Sequence, residues 1–312
     1  MKKNTALLFP GQGAQYIGMG HDFVEQFGAA RQTIEEAEDI LGNKISSLIF
    51  NGKEEVLALT KHSQPAIFVI SMAIFRVFEE LFGITPCAAS GLSLGEYCAL
   101  VAAKKCSFAE ALRLVEARGE AIHEACDKNP GIMVAILGLD DAKVEAICQS
   151  LDSPLELFVA NYNCPGQIVI SGTKHAVEEA ATALCAAGAR AALPLRVHGA
   201  FHSGLMNGAR EKLSPLLLQA HIVTSDIPFI ANVTGEEAGE AEVIKKLLVE
   251  QITAPVRWHQ GIRTIDNRDA KLFLEIGPGK TLAGLNKRIG VRAKTLSLGK
   301  VEDLKLVELA LR

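Results

Sequence analysis

Residues Ala88–Leu100 read AASGLSLGEYCAL. The small residues at the start are typical of a short buried strand, and the run after them is typical of a helix. Between the two, Gly91, Ser93 and Gly95 have the Gly-x-Ser-x-Gly spacing of a nucleophile elbow. A serine on so sharp a turn needs neighbours without Cβ atoms, because only then can the backbone fold tightly and leave the hydroxyl exposed. A helix beginning at Ser93 would direct its free N–H groups at an anion that forms there.

A second interpretation of this stretch requires no catalysis. Ser93 and Glu96 also fit a Ser-x-x-Glu capping box, in which both side chains satisfy backbone N–H groups at the start of a helix. The stretch by itself therefore leaves open whether Ser93 is a nucleophile or a helix cap.

Three other segments could complete a serine-based site. The turn 10–15 follows a predicted strand at 5–9, and its N–H groups either face a reacting centre or belong to an ordinary strand-to-helix turn. Arg118 lies on a predicted helix, where an arginine is most often solvated. His198 and His202 flank a Gly-Ala-Phe turn, where histidines serve either packing or catalysis.

The composition excludes several classes of protein. The chain has 312 residues, of which 49% are hydrophobic and 22% charged, so it can bury one large core and a smaller unit. Its net charge of −4 argues against a protein that coats nucleic acid. No membrane partner is expected either, because the most apolar region, 67–78, contains Arg76 and is closed by two glutamates. The apolar run Ala6–Phe9 is too short for a signal peptide.

The cysteines indicate a reducing compartment. There are seven, an odd number, and no pair has Cys-x-x-Cys spacing. Neither a disulfide framework nor a zinc site is indicated, so we expect no metal and a cytoplasmic location.

Strands and helices alternate along most of the chain. The pattern predicts helices over 21–41, 60–82 and 108–127, and a strand over 84–90. After residue 197 it predicts helices at 204–219 and 243–252, helices opening near 258 and 280, and strands at 227–233 and 271–276. The middle region has a different order of predicted elements. It has strands at 132–137, 155–161, 167–171 and 191–197 and helices at 140–151 and 174–187. This β-α-β-β-α-β order predicts a ferredoxin-like unit inserted into a larger α/β domain.

Motifs spread over nearly the whole chain resemble the malonyl-coenzyme A:acyl carrier protein transacylases, a family whose fold also forms polyketide synthase acyltransferase domains. The motifs that carry the resemblance are Phe9-Pro10-Gly11-Gln12-Gly13, Gln64-Pro65-Ala66, the elbow with Glu96-Tyr97, Arg118, Asn161–Gln167, Gly199–Ser203, Gln251 before Pro255–Trp258, and Glu275–Gly279. The resemblance implies an α/β fold with an α/β-hydrolase-like core and parallel sheet, formed by residues 1–128 and 197–312. The ferredoxin-like (βαββαβ) subdomain would then span residues 129–196.

The resemblance also implies a role for each site residue. Ser93 matches the nucleophile that carries the malonyl group as an ester, and His202 matches its general base. Gln251 matches the residue whose backbone carbonyl orients that histidine. The N–H groups of Gln12 and Leu94 match the oxyanion hole.

Arg118 matches the residue that pairs with the free malonyl carboxylate. This assignment agrees with elementary chemistry, because a planar guanidinium can hold a carboxylate by two charge-assisted hydrogen bonds. Acetyl lacks that carboxylate and would leave the arginine unpaired, so malonyl would be preferred.

Two positions depart from the commonest family pattern. Leu92 stands where a histidine usually precedes the nucleophile, which puts the packing around the malonyl group in doubt. Cys164 stands where serine is frequent, with no chemical consequence that we can identify. The Ala200-Phe201-His202 segment resembles the version in malonyl-selective members and so favours malonyl over branched units.

The implied substrates are malonyl-coenzyme A and an acyl carrier protein, with no cofactor other than the coenzyme A thioester itself. The chain begins shortly before Phe9 and ends soon after Gly299, from which we expect a free-standing enzyme acting on a separate carrier. We also expect a monomer. Carrier proteins are usually acidic, and five basic residues could steer one or could simply form a solvated helix face: Lys280, Lys287, Arg288, Arg292 and Lys294.

Other functions share part of this pattern. A serine esterase or thioesterase would use water as the acceptor, but needs neither Arg118 nor the inserted unit. A non-catalytic carrier-binding module is disfavoured because every catalytic position is filled. A polyketide acyltransferase acting in trans would share all the chemistry.

Overall fold

A computed structural model describes residues 4–151, 153 and 156–312. The helices are α1 His21–Gln26, α2 Gly28–Leu41, α3 Ile45–Asn51, α4 Glu54–Leu57, α5 Thr60–Phe82, α6 Gly95–Ala102, α7 Phe108–Lys128, α8 Asp141–Ser150, α9 Lys174–Ala186, α10 Asn207–Gln219, α11 Ala241–Gln251, α12 Trp258–Asn267, α13 Thr281–Ile289 and α14 Leu304–Leu311. The strands are β1 Thr5–Phe9, β2 Ala88–Gly91, β3 Ile132–Leu137, β4 Leu157–Cys164, β5 Gln167–Gly172, β6 Ala191–Pro194, β7 Leu272–Ile276 and β8 Lys294–Leu298. Short 3₁₀ turns occur at Gly204–Met206 and Val301–Asp303.

The larger unit is built on a parallel sheet with the strand order β2-β1-β7-β8. Its central strand, β1, is buried at every residue, as expected for a parallel strand that helices cover on both faces. Phe9 at the end of β1 pairs with Gly91 at the end of β2. The carboxyl ends of the two strands therefore meet where the elbow begins, which is where ligands bind in open α/β sheets.

Helix α5 is the central helix of the larger core. Sixteen of its 23 residues are buried, and it packs against α2 and α7. Because apolar residues lie all round the helix, it is buried over most of its length, and Glu79, Glu80 and Leu81 near its end are exposed. Gln64 lies near its start among these apolar residues and is also buried, which places an amide inside the core beside α7.

The elbow has the shape that its glycines predicted. Ser93 adopts a left-handed conformation, with φ of 52°, between β2 and α6. A Cβ atom on Gly91 would lie 1.9 Å from the carbonyl oxygen of Gly95, and one on Gly95 would lie 2.2 Å from that of Phe9. Both positions therefore require glycine because other backbone atoms approach too closely to leave room for a Cβ atom, and not because φ is positive there. Helix α6 begins at Gly95, two residues later than predicted.

We expect Gly91→Ala to destabilise the protein severely, because its methyl group would overlap the backbone of the turn. Gly284→Ala is the matched control, since Gly284 lies inside α13 with nothing within 4 Å of its added Cβ. Alanine there should raise the free energy of unfolding by about 0.5–1 kcal/mol. Urea unfolding of both variants measures the difference, and equal midpoints would contradict the close-approach argument.

The middle region forms the predicted ferredoxin-like unit. Its sheet has the order β4-β5-β3-β6 with every neighbouring pair antiparallel. Helices α8 and α9 cover one face of this sheet. On the other face lies a small apolar cluster, Met133, Ala135, Ala160 and Val169, with Phe201 packed against it. The division of the chain at residues 129 and 196 stays a prediction.

Several predicted elements differ in the structure. The helix predicted over 21–41 is two helices, because Phe27 is extended between them and Gly28 is a weak helix former. The segment 227–233 is not a regular strand. It makes only single bridges, from Phe229 to Ala89 and from Ile230 to Glu237.

Other differences lie at element boundaries. β2 begins at Ala88, not at residue 84, and β4 continues to Cys164, so the predicted turn begins only at Pro165. Leu155, where β4 was predicted to begin, lies outside the described residues. β8 was not predicted. None of the helices formed by the described residues combines the length and the apolar character needed to cross a membrane.

Candidate active site

Asn232 holds the elbow in its conformation. Its side-chain Oδ1 accepts a hydrogen bond of 2.7 Å from the Ser93 N–H, and its Nδ2 donates one of 2.7 Å to the Gly91 carbonyl. One amide group therefore bridges both sides of the turn and supports the positive φ of Ser93. The sequence analysis missed Asn232, because an asparagine after an apolar run carries no motif.

His202 lies within hydrogen-bond distance of the Ser93 hydroxyl. The distance from Ser93 Oγ to His202 Nε2 is 2.8 Å, and His202 Nδ1 lies 2.8 Å from the backbone carbonyl oxygen of Gln251. A carbonyl oxygen can only accept, so Nδ1 carries the proton and Nε2 is left free to accept the serine proton. This is the geometry of a nucleophile and base in which a carbonyl takes the orienting role that a carboxylate has in other serine enzymes.

Burial keeps the His202 imidazole neutral. The ring is 5% exposed, and its desolvation, together with the positive charge of Arg118, lowers the pKa of His202 to about 4. At neutral pH the ring therefore holds no proton on Nε2 and is ready to act as a base.

Arg118 is a buried cation beside the nucleophile. It is 2% exposed, so the interpretation of a solvated surface arginine is wrong. Its Nη2 donates to Ser93 Oγ at 3.1 Å and to Gln251 Oε1 at 2.9 Å, and its Nη1 donates to Gln64 Oε1 at 2.6 Å.

The partners of Arg118 are neutral oxygens. In the described part of the chain, its Nε has no hydrogen-bond partner, although the guanidinium lies 5.8 Å from the centre of the Tyr97 ring. Burial lowers the pKa of Arg118, but a guanidinium stays protonated throughout the physiological range. Among the residues that the structure describes, no carboxylate is in direct contact with the guanidinium, so the site can accept an anionic group next to Ser93.

Glu96 links the elbow to two distant segments. Its carboxylate accepts hydrogen bonds from the Asn232 N–H at 2.7 Å and from Gln251 Nε2. Gln251 Nε2 also donates to the Ser93 carbonyl at 2.9 Å. The side chains of Ser93 and Glu96 bond to these distant groups, and no side chain caps the start of α6. The capping-box alternative is therefore wrong. Complete burial raises the pKa of Glu96 to about 7.

Gln12 and Leu94 are the two residues whose N–H groups were predicted to form an oxyanion hole. Both line the cavity with Ser93, and among the described residues neither backbone N–H has a hydrogen-bond acceptor. The Gln12 side chain is engaged elsewhere, since its Nε2 donates to Thr60 Oγ1 at 3.2 Å. Gly11 permits this approach, because a Cβ there would lie 2.5 Å from the Leu92 carbonyl oxygen.

A cavity of about 140 Å³ connects these groups. It opens between the elbow and the free face of the ferredoxin-like sheet, so both units contribute to its wall. Its lining comprises Gly11, Gln12, Gln64, Leu92, Ser93, Leu94, Arg118, Ile122, Met133, Asn161, Asn163, Val169, Leu195, Val197, Phe201, His202, Met206 and Ile252. The cavity is largely apolar apart from the groups around Ser93, which suits a short acyl chain that ends in a charge.

Residues 6–298 match the family model described as the acyl transferase domain. The chain belongs to the acyl transferase family. It is 45% identical over 311 residues to the malonyl CoA-acyl carrier protein transacylase of Bacillus subtilis strain 168, which covers 98% of this chain and 96% of that relative.

Solved structures agree with this assignment. The malonyl CoA-acyl carrier protein transacylase of Coxiella burnetii is 36% identical, covers 100% of this chain and 98% of its own, and superposes with a TM-score of 0.95. A malonyl-transacylase solved in complex with its type II polyketide acyl carrier protein is 39% identical, covers 99% of both chains and has a TM-score of 0.93. The α/β fold with its separate antiparallel unit is thereby confirmed.

Two basic segments of this acyl transferase do not join the catalytic groups. The loop 277–280 leads into α13, whose Leu282 and Ala283 N–H groups each donate to the buried Glu275 carboxylate at 2.9 Å. The five basic residues that the sequence singled out are exposed, from Lys280 directly before α13 to Lys294 at the start of β8. Arg292 among them pairs with Asp266 at 3.3 Å.

Of the residues in the acyl transferase site, the sequence analysis named Gln12, Ser93, Leu94, Arg118, His202 and Gln251, and all of them meet around one cavity or contact its lining. It missed the contributions of Gln64 and Asn232, and it gave Glu96, which stood in a quoted motif, no role other than that of a helix cap. Gln64 stood in a quoted motif, but nothing in the sequence showed that it would face Arg118.

Proposed function

We propose that this acyl transferase moves a malonyl group from malonyl-coenzyme A to the phosphopantetheine thiol of an acyl carrier protein through an ester on Ser93. The observation that carries the proposal is the buried Arg118 guanidinium, whose Nη2 lies 3.1 Å from Ser93 Oγ. An acyl group on that oxygen places its far end near the guanidinium, and only an acyl group that ends in a carboxylate can pair with it.

The proposed reaction has two half-reactions. The Ser93 oxygen attacks the thioester carbonyl while His202 Nε2 takes the serine proton. The negative charge that forms on the carbonyl oxygen is stabilised by the N–H groups of Gln12 and Leu94. Collapse of this intermediate breaks the carbon–sulfur bond, and coenzyme A leaves with the proton from His202.

The second half-reaction reverses the first with a different thiol. His202 takes the proton of the carrier phosphopantetheine thiol, and the thiolate attacks the malonyl-serine ester. The Ser93 oxygen leaves and recovers its proton from His202. Gln251 serves both steps, because its carbonyl holds the imidazole while its side chain holds Arg118.

The proposal is tested by mixing the protein with malonyl-coenzyme A and then adding the carrier protein. We expect intact mass to show one malonyl group on the protein, stable until a carrier protein with its phosphopantetheine arm is added and unaffected by the apo carrier. Rapid release of free malonate without the carrier would identify a hydrolase instead. Failure to acquire any malonyl group would overturn the proposal.

The identity of the carrier separates fatty acid synthesis from a polyketide pathway. The complexed relative was solved with a type II polyketide carrier, so this fold serves such carriers in at least that protein. We propose fatty acid synthesis for this chain, and transfer rates to carriers of both kinds test the choice. The monomeric state and the cytoplasmic location stay predictions from the sequence.

The pH dependence follows from the lowered pKa of His202. A free imidazole gains its proton near pH 6.5, but the buried ring stays neutral down to about pH 4. We therefore expect kcat/KM for malonyl transfer to stay nearly constant as the pH falls from 6.5 to 5 and to decline only near 4. In that window the unfolded chain binds the proton first, so the contribution of His202 to stability falls as the pH falls.

The profile is measured by rapid acylation after a brief exposure to each pH, with a return to pH 7 to confirm that the protein survives. Glu96 titrates near pH 7, so the same profile in Glu96→Gln separates its effect from that of His202. An acid limb near 6.5 in both proteins would contradict the assignment.

A further inference from the structure

His123, Asp127 and His198 form a cluster outside the acyl transfer site. One ligand atom from each of the three lies within 4.8 Å of the other two. His123 and Asp127 are one turn apart on α7, and His198 enters from the segment that leads to His202. The three residues therefore join a long helix to the segment that carries the proposed general base.

The distances in the cluster are close to those of a metal site. His198 Nε2 lies 3.2 Å from Asp127 Oδ1, and His123 Nε2 lies 3.9 Å from Asp127 Oδ2. Two ligands of a tetrahedral Zn²⁺ ion at 2.0–2.1 Å lie about 3.3 Å apart. A small shift of the His123 side chain would bring its Nε2 to that separation from the Asp127 carboxylate.

The two imidazole rings of the cluster lie next to each other. Their ring centres are 4.7 Å apart, with 38° between the ring planes. Within the described residues, His123 Nδ1 is buried and has no hydrogen-bond partner. His123 Nε2 lies 3.9 Å from Asp127 Oδ2, beyond hydrogen-bond distance, so an ion that binds this nitrogen would not have to break that contact as a hydrogen bond.

The cluster is accessible from solvent. His123 and Asp127 line an open groove, together with Glu120, Glu124 and Lys212. Asp127 is 59% exposed and His198 is 33% exposed, so an ion can enter and water can complete its coordination. Glu124 is already paired with Lys128 and Lys212.

We propose that His123, Asp127 and His198 bind one divalent transition-metal ion, such as Zn²⁺, Co²⁺ or Ni²⁺. Two imidazoles and one carboxylate are ligands that suit these ions and not Mg²⁺ or Ca²⁺. The bound ion would fasten the end of α7 to the segment before His202 and so stabilise the folded protein. The proposal concerns a structural ion and does not depend on the acyl transfer reaction.

Titration of the untagged protein with Co²⁺ tests the proposal. We expect one Co²⁺ per chain, with visible absorption bands of a nitrogen and oxygen ligand set and no thiolate charge-transfer band. We expect His198→Ala and Asp127→Asn to weaken binding by about tenfold or more. His175→Ala is the matched control, because His175 is an exposed histidine on α9 outside the cluster.

A second readout is the melting temperature in Ni²⁺ against that in EDTA. The wild type and His175→Ala should both melt higher with the metal, and His198→Ala should not. The EDTA values also show whether each variant still folds. Equal Co²⁺ affinity in all four proteins, or a thiolate band from one of the seven free cysteines, would overturn the proposal.

Discussion

Ser93→Ala should abolish malonyl transfer, with a loss of at least about four powers of ten in kcat/KM. The Ser93 hydroxyl oxygen contacts both His202 and Arg118, at 2.8 and 3.1 Å. The variant removes that oxygen and leaves the base without a proton to take. Intact mass after mixing with malonyl-coenzyme A should show no added malonyl group.

Ser90→Ala is the matched control for this prediction. Ser90 is a buried serine on β2, three residues earlier, whose hydroxyl donates to the Ile230 carbonyl at 3.1 Å. We expect its loss to cost about 1 kcal/mol of stability and to leave acylation intact. A malonyl adduct on Ser93→Ala would refute the nucleophile assignment, whatever the control shows.

Arg118→Ala should remove the preference for malonyl over acetyl. The guanidinium is buried and its contacts are neutral oxygens, so a substrate carboxylate would be its charged partner in the site. Truncating one member of a buried, hydrogen-bonded charge pair costs about 2–5 kcal/mol, which corresponds to a loss of about thirtyfold to a few thousandfold in kcat/KM for malonyl-coenzyme A. Transfer from acetyl-coenzyme A should fall far less or rise.

Two further variants make the Arg118 prediction specific. Arg113→Ala changes an exposed arginine on the same helix, α7, and should alter neither rate. Arg118→Lys keeps the charge but loses the planar fork, so it should recover only part of the malonyl preference. The assignment fails if the ratio of malonyl to acetyl rates is the same in wild type and Arg118→Ala.

The contacts of Glu96 show why its role could not be read from the chain. Its spacing from Ser93 is that of a capping box, a purely local device. In the structure its carboxylate bonds to Asn232 and Gln251, which are 136 and 155 residues away. Local spacing cannot specify such partners, because they depend on how the sheet places the ends of separate segments.

Asn232 illustrates a second limit of local reasoning. Its segment, 227–233, has the apolar pattern of a strand, yet it makes only single bridges. Pro228 lacks an N–H group, and the chain turns at Asn232 to bond to both sides of the elbow. The pattern predicted burial correctly, but the position of the side chain depended on the elbow beside it.

The amino-acid sequence by itself determined the elbow, the order of elements and the inserted ferredoxin-like unit. These depend on spacing, on glycines that permit close backbone approach, and on hydrophobic periodicity, which are all local properties of the chain. It also singled out Ser93, Arg118 and His202, although it left Arg118 open to a surface interpretation.

Only the tertiary structure decided that these three side chains meet. Arg118 is buried because α7 packs on α5, where Gln64 accepts from the guanidinium. His202 is neutral because burial and the charge of Arg118 lower its pKa, and it faces Ser93 because the carbonyl of Gln251 holds its other nitrogen. Desolvation and long-range hydrogen bonds exist only in the folded chain, so no pattern of neighbouring residues could reveal them.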